Sequence, residues 1–410
     1  MLLKNQMISI VIFLLLLVSP SGVMAATEAV PAYRQPDTYR FIYDLKGQGS
    51  MESGVSLAWN SSLLLYRGSD YLAAEAGLHD HWYSRPFFLP IVSLAIPNPK
   101  QFLHEYYGHG SVLREFGFSD VIYKWGWFDM FPTDGLADSQ RVQNEGTYEE
   151  QQLWLGGGVA ASQLYLLEAE KDMYRKGRGT LLMFLPMQAA MSDMSYLKDG
   201  LNADALFESN DGASWLANFK GQHNNDQSLT AKFADRSRNA INAAAFNPVI
   251  PWLAVAWLRY LWTGDDSFYA PMLPLAGLKF GFSPKVNLTP LGPENYYYIF
   301  IAREGRLASL YYRTGTSPEG AVQGYGAEFG PINIAGLALT PGYDQWTLPA
   351  AKSAGFRFSR SGYNAQLKLD APLYKTLGLT AKAAYKTDGY MLGLPAHSGF
   401  HGYAGISLSF

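Results

Sequence analysis

The chain predicts a mixed fold: a transmembrane antiparallel β-barrel of roughly 10–12 strands with a long α-helical insertion after the first strands. Three observations carry this. The last third alternates apolar and polar residues in segments of about ten, separated by Gly, Pro, Asp and Ser. The first residues have the form of an export signal. From about residue 69 to 265 the texture changes to helical periodicity.

Taken in order, residues 1–25 read as a cleaved signal peptide. Lys4 gives the positive region, Ile8–Val18 the apolar run, and Val23-Met24-Ala25 the small-residue cleavage site before Ala26. With no cysteine in the chain there is no lipidation site after that run, no disulfide and no thiolate ligand, so any metal must sit on His and carboxylates. A net charge of −3 gives no reason to expect nucleic acid as a partner. Aromatic residues make up 15% and charged residues only 16%, a balance suited to membrane interfaces, where Tyr and Trp concentrate.

Residues 26–68 are expected to supply the N-terminal barrel strands, Tyr39–Leu45 and Gly54–Tyr66. Residues 69–265 form the insertion, with four helical stretches. The first follows Asn98-Pro99, a cap and a Pro at the first helical position, and stops at Gly117. The second follows the capping box Thr147–Glu150. The third is Thr180–Leu197 and the fourth Phe246–Trp262. Ser209–Asn239, rich in Asn, Asp and Ser, reads as an exposed connection.

Residues 266–410 carry the remaining strands: Gly277–Thr289, Tyr296–Ala302, Leu307–Arg313, Gly320–Glu328, Ile332–Thr340, Ala354–Ser359, Tyr363–Ala371, Leu377–Lys386 and Phe400–Phe410. In Leu377–Lys386, Leu377, Leu379 and Tyr385 oppose Thr380, Lys382 and Lys386. A last strand ending on Phe410 resembles bacterial outer-membrane proteins. That resemblance implies location in the bacterial outer membrane, contact with membrane lipid, and recognition of the C-terminal strand by the outer-membrane insertion machinery.

The chemistry concentrates in Gln101–His109, QFLHEYYGH. His-Glu followed by a second His on one helix offers zinc two imidazoles and a carboxylate for its water. The usual histidines are four apart and share a face; His104 and His109 are five apart, roughly 140° on an ideal helix. A π-bulge beside Gly108 would absorb the extra residue and turn both rings the same way. Burying two imidazoles and a carboxylate in this aromatic segment costs several kcal/mol unless they find partners or an ion, on the order of 2–7 per group. The expected ligands are therefore His104, His109 and a third carboxylate, Asp193, set among Leu185, Met187, Met191 and Leu197, with Asp199 as rival. Glu105 is the expected general base. Glu168 and Glu170 read as the wet end of the second helix, His79 and His81 as a reserve pair in a loop, and His397 and His401 as loop or lumen residues.

His104-Glu105-Tyr106-Tyr107-Gly108-His109 resembles the His-Glu-x-Gly-His motif of site-2-protease-type metallopeptidases with one added residue. The resemblance covers roughly Gln101–Gly200, a quarter of the chain, and includes the Gly156-Gly-Gly helix and the interrupted Leu197-Lys198-Asp199-Gly200. It implies zinc as cofactor and a peptide substrate. Two other functions stay open: a hydrolase acting on lipid or lipopolysaccharide acyl groups, and a non-enzymatic channel or assembly factor plugged by its helices.

Overall fold

A computed structural model describes residues 37–45, 49–88, 99–125, 135–201, 210–349 and 360–409. The signal segment and the strand expected at Ala354–Ser359 lie outside these residues. The chain contributes eleven strands to one antiparallel sheet. They are β1 (Thr38–Asp44), β6 (Leu273–Leu275), β7 (Leu278–Thr289), β8 (Gly292–Arg303), β9 (Arg306–Ser317), β10 (Gly320–Gly330), β11 (Ile332–Ile334), β12 (Leu337–Thr347), β13 (Gly362–Tyr374), β14 (Leu377–Lys386) and β15 (Gly399–Ser409). The order is β1-β15-β14-β13-β12-β10-β9-β8-β7-β6, with β11 on β12. Pairing among the described residues leaves β1 and β6 as ends, so hydrogen bonds do not close the sheet. Three hairpins turn on Ala276-Gly277, Glu304-Gly305 and Ala335-Gly336, each with both residues at positive φ, the two-residue geometry that matches strand twist. The single strand expected at Ile332–Thr340 is broken by the last of these turns into β11 and β12.

The helices are α1 (Met51–Glu75), the composite α2 (Pro99–Phe102, Leu103–His109 and Gly110–Glu115), α3 (Gln140–Glu145), α4 (Tyr148–Lys176), α5 (Phe184–Gly200), α6 (Asp211–Gln222), α7 (Gln227–Ala244) and α8 (Val249–Thr263). Two short pairings, β2 (Ile122–Trp125) with β3 (Gly135–Asp138) and β4 (Arg178–Thr180) with β5 (Ser267–Tyr269), flank them.

Two expectations are corrected here. Gly54–Tyr66 is not a strand but the first half of α1. Its buried positions, Val55, Ala58, Trp59, Ser62, Leu63 and Tyr66, recur at helical spacing, and the Ser50 side chain caps the helix by accepting from the Ser53 amide. Helical structure thus begins at residue 51 rather than 69. Ser209–Asn239 is not an open connection but most of α6 and α7. Trp215, Phe219 and Phe233 are buried there and stack on one another.

α4 is the axis of the molecule. Thr147 and Glu150 form the expected capping box at its start, and Gly177 at φ 70° closes its end. From Leu155 to Leu167 it is buried on every side. Glu170, expected to be wet, is fully buried and paired with Lys285 of β7 at 2.7 Å. Lys171 reaches Glu328 of β10, which also accepts from Lys368 of β13, while Glu52 of α1 takes Lys382 of β14. One face of the sheet therefore curls around α1 and α4.

That face holds the polar set. Lys285, Glu294, Arg313, Asn364, Lys382 and Lys386 are buried, whereas Leu310, Tyr312, Tyr363, Leu379, Phe400 and Ile406 are exposed on the opposite face. The distribution inverts the ordinary rule that charges face water. At its β1 end the sheet does not show a bare edge. The Arg40 amide donates to Asn60 Oδ1 (2.8 Å), and Ser56 Oγ donates to the Arg40 carbonyl (3.1 Å), both from α1.

Candidate metal centre

α2 has the irregularity its sequence requires. Leu103–His109 is a π-helix, flanked by α-helical turns, and the Gly110 amide donates to the Glu105 carbonyl five residues back. Closing i→i+5 stacks residue 109 over residue 104, so the imidazole centroids lie 4.8 Å apart. The wide turn is seated by glycine. A Cβ on Gly108 would lie 2.6 Å from the Gly158 Cα, and one on Gly158 would lie 2.4 Å from His104 Nε2. α2 and α4 thus touch backbone to backbone, and His104 occupies the space a side chain at 158 would fill.

Both rings point Nε2 at one carboxylate oxygen. Asp211 Oδ2 is 3.2 Å from His104 Nε2 and 3.3 Å from His109 Nε2. The three ligand atoms lie within 4.8 Å of one another. A tetrahedral ion at about 2.0–2.1 Å from its ligands has ligand–ligand edges of about 3.3–3.4 Å, so the spacing fits. The other ring nitrogens are also engaged: His104 Nδ1 meets Asp193 Oδ2 at 3.0 Å and His109 Nδ1 meets the Trp154 carbonyl at 2.6 Å. Nδ1 held by an acceptor with Nε2 left to converge is the arrangement that fixes tautomer and ring direction in metal-binding histidines. His104, His109 and Asp211 can hold a metal ion, with both histidines buried and Asp211 partly exposed.

Of the sequence candidates, His104, His109 and Asp193 come together, but Asp193 takes a different place. It lies behind His104 on the far nitrogen, where Ser162 Oγ and Lys100 Nζ also reach it. The rival, Asp199, is exposed near the end of α5 and is not in the group. Glu105 is buried between its neighbours. Its Oε1 accepts from Gln101 Nε2 at 3.0 Å and its Oε2 from the Ala137 amide at 2.8 Å. Sequence reasoning missed Asp211, the first residue of α6 after the N-cap Asn210. Asn210 ahead of Trp215, Leu216 and Phe219 was the available helix signal. His79 and His81 do not converge: His79 bridges Asp70 and Tyr260, and His81 stacks on Tyr83.

Electrostatics follow the geometry. Burial opposes charge on His104, but Asp193 and Asp211 overcome it and hold the ring well above its ordinary range. Burial likewise opposes charge on His109, and Asp211 raises it. In turn His109 and His104 outweigh the burial of Asp211 and hold its carboxyl below the usual carboxylate range. The pocket is thus built to hold positive charge, supplied either by two protons or by a cation. Compared with known proteins, the chain matches no protein-family model and no curated sequence.

Proposed function

We propose that the chain is a bacterial outer-membrane, zinc-dependent hydrolase, with a peptide as its substrate. The observation that carries this is the convergence of His104 Nε2, His109 Nε2 and Asp211 Oδ2, with both Nδ1 atoms already held. Two imidazoles and one carboxylate, with a side open for water, is the donor set of hydrolytic zinc sites. A zinc ion held there would lower the pKa of a coordinated water towards 7 and polarise a carbonyl. Asp193 and the Trp154 carbonyl hold the two rings by their Nδ1 atoms, and Glu105, next to a ligand, would serve as the base that takes a proton from water and passes it to the leaving amine. The membrane part of the reading is supported by the apolar, aromatic outer face of the sheet and its buried charges. In this reading the sheet is a barrel whose wall α1 completes beside β1.

A second reading keeps the centre and changes the substrate to a lipid or lipopolysaccharide acyl group. It is favoured by Phe102 and Tyr106, which stack at 5.3 Å on the helix that carries the histidines, with Phe102 exposed. Elemental analysis and peptide digestion test the first reading. Purified protein should hold one zinc, and Glu105→Gln should keep it while losing turnover about 10²–10⁴-fold. A zinc-free protein, or full activity in Glu105→Gln, refutes the mechanism. Turnover of lipid A or phospholipid without peptide cleavage selects the second substrate.

A further inference from the structure

Between the sheet and the two helices it encloses, the space is not filled. A cavity of about 350 Å³ lies at the end where β1 begins and β15 finishes, reaching Thr38, Lys375 and Ser409. A second, of about 280 Å³, opens at the other end, among Gly49, Pro395 and Ser398. A third, of about 90 Å³, lies beside them. All three are lined by Glu52, in the first turn of α1. At that point Lys382 of β14, nearly fully buried, closes on Glu52 with Nζ–Oε2 at 2.6 Å, and Tyr403 of β15 borders both larger cavities.

We infer that these cavities form a path for small hydrophilic solutes through the sheet's interior, closed by the Glu52–Lys382 ion pair. Protein interiors pack to the density of organic crystals and leave few voids larger than a water molecule, so a helical plug serving only to fill the sheet would not leave these. Their walls mix apolar surface with charged side chains, among them Glu168, Lys171 and Asp172 in the first, and so differ from the wholly apolar lining of a dry cavity. Among the described residues the second cavity is lined by the carboxylates of Asp44, Glu52 and Glu115. The first carries both signs, including Arg40 paired with Asp370. Breaking the ion pair removes a contact between α1 and β14 at the residue that all three cavities share. This is a transport activity separate from the metal centre, and it rests on the membrane-barrel reading.

The test uses the full-length protein reconstituted into vesicles and planar bilayers, with insertion checked by flotation after alkaline washing and conductance read in potassium chloride. The wild type should conduct little. Glu52→Gln should raise conductance at least about tenfold. Because the chain has no other cysteine, Lys382→Cys supplies a single thiol. That variant should be open, close again when a thiol reagent restores an ammonium group, and stay open when the reagent adds a sulfonate. Chemical closure of one folded protein keeps the test valid if Glu52→Gln fails to fold. Inserted variants that conduct no more than the wild type overturn the path and leave the barrel standing. Protein that does not float with the vesicles overturns the barrel and the path together.

Discussion

The two aspartates at the centre should respond differently to the same substitution. Asp211 Oδ2 stands about equally far from both Nε2 atoms, whereas Asp193 meets only the far nitrogen of His104. Asp193→Asn keeps an oxygen that can accept from Nδ1, so the ring stays oriented. It loses the negative charge facing Lys100 at 3.0 Å and the basicity that charge lends to the imidazole. Loss of such an outer partner costs about 10–100-fold in metal affinity, about 1.4–2.7 kcal/mol. Asp211→Asn removes the only anionic ligand of the three and should cost on the order of a thousandfold, about 4 kcal/mol. Zinc dissociation constants from competition with a chromophoric chelator at neutral pH measure both. If Asp193→Asn abolishes binding while Asp211→Asn binds like the wild type, the ligand assignment drawn from the two Nε2 contacts is wrong.

Three further outcomes follow from the same geometry. Zinc affinity should fall as pH drops through the raised values of His104 and His109, approaching two protons per ion; because raised histidine values stabilise the fold at low pH and that stability is lost as pH rises through them, the metal-free protein should melt lower on the alkaline side, and added zinc should restore it there. Gly108→Ala places a methyl 2.6 Å from the Gly158 Cα, against an ordinary contact of about 3.5 Å, so α2 and α4 must part; melts should show about 1–3 kcal/mol lost, with weaker zinc binding, and an unchanged melt would contradict the backbone contact. Lys285→Met leaves the buried Glu170 carboxylate without its counter-charge, held among the described residues only by the Asn247 amide, and should cost about 3–5 kcal/mol by denaturant titration, most of it recovered in the double variant with Glu170→Leu.

The sequence made the strands and the π-turn legible for local reasons. Period-two segments ten residues long state their own register, and a histidine spacing of five beside glycine has few regular solutions. Which strand face turns inward was not written in the alternation: Leu379 and Lys382 occupy opposite faces under either choice, and only packing against α1 and α4 decides that Lys382 is the buried one. α1 failed for a related reason. Val55, Leu57 and Trp59 alternate, but Val55, Ala58, Trp59 and Ser62 also recur at helical spacing, and the competing pattern won once Ser50 capped the helix. Asp193 was expected as the third ligand because of its apolar surroundings; it is buried, but it meets the far nitrogen of His104. Burial cannot say whether a carboxylate faces the metal or the far side of an imidazole, because both places are dry. Asp211 was hidden because Asn, Asp and Gly before an aromatic run serve a turn and a helix start equally well.

The helical layer and the sheet cannot be regarded as a module and its anchor. Lys285, Lys368 and Lys382 sit on the helix-covered face of the sheet, and their carboxylate partners come from α4 for the first, β10 for the second and α1 for the third. Remove the helices and two of these lysines lose their counter-charge, while Glu328 loses Lys171. The same α4 that answers those charges presents Gly157 and Gly158 to α2, and Gln152 of α4 donates to the Trp215 carbonyl of α6, close to Asp211. The ligands on α2 and α6 are therefore set by a helix whose own position is fixed by buried ion pairs in the sheet. A buried pair tolerates little displacement, since separating its charges exposes each to an uncompensated interior. That places the rigidity a three-ligand site would need in the charge pairs of the sheet interior rather than in the loops around the centre, and it links the polar interior to the constellation that could hold a metal ion.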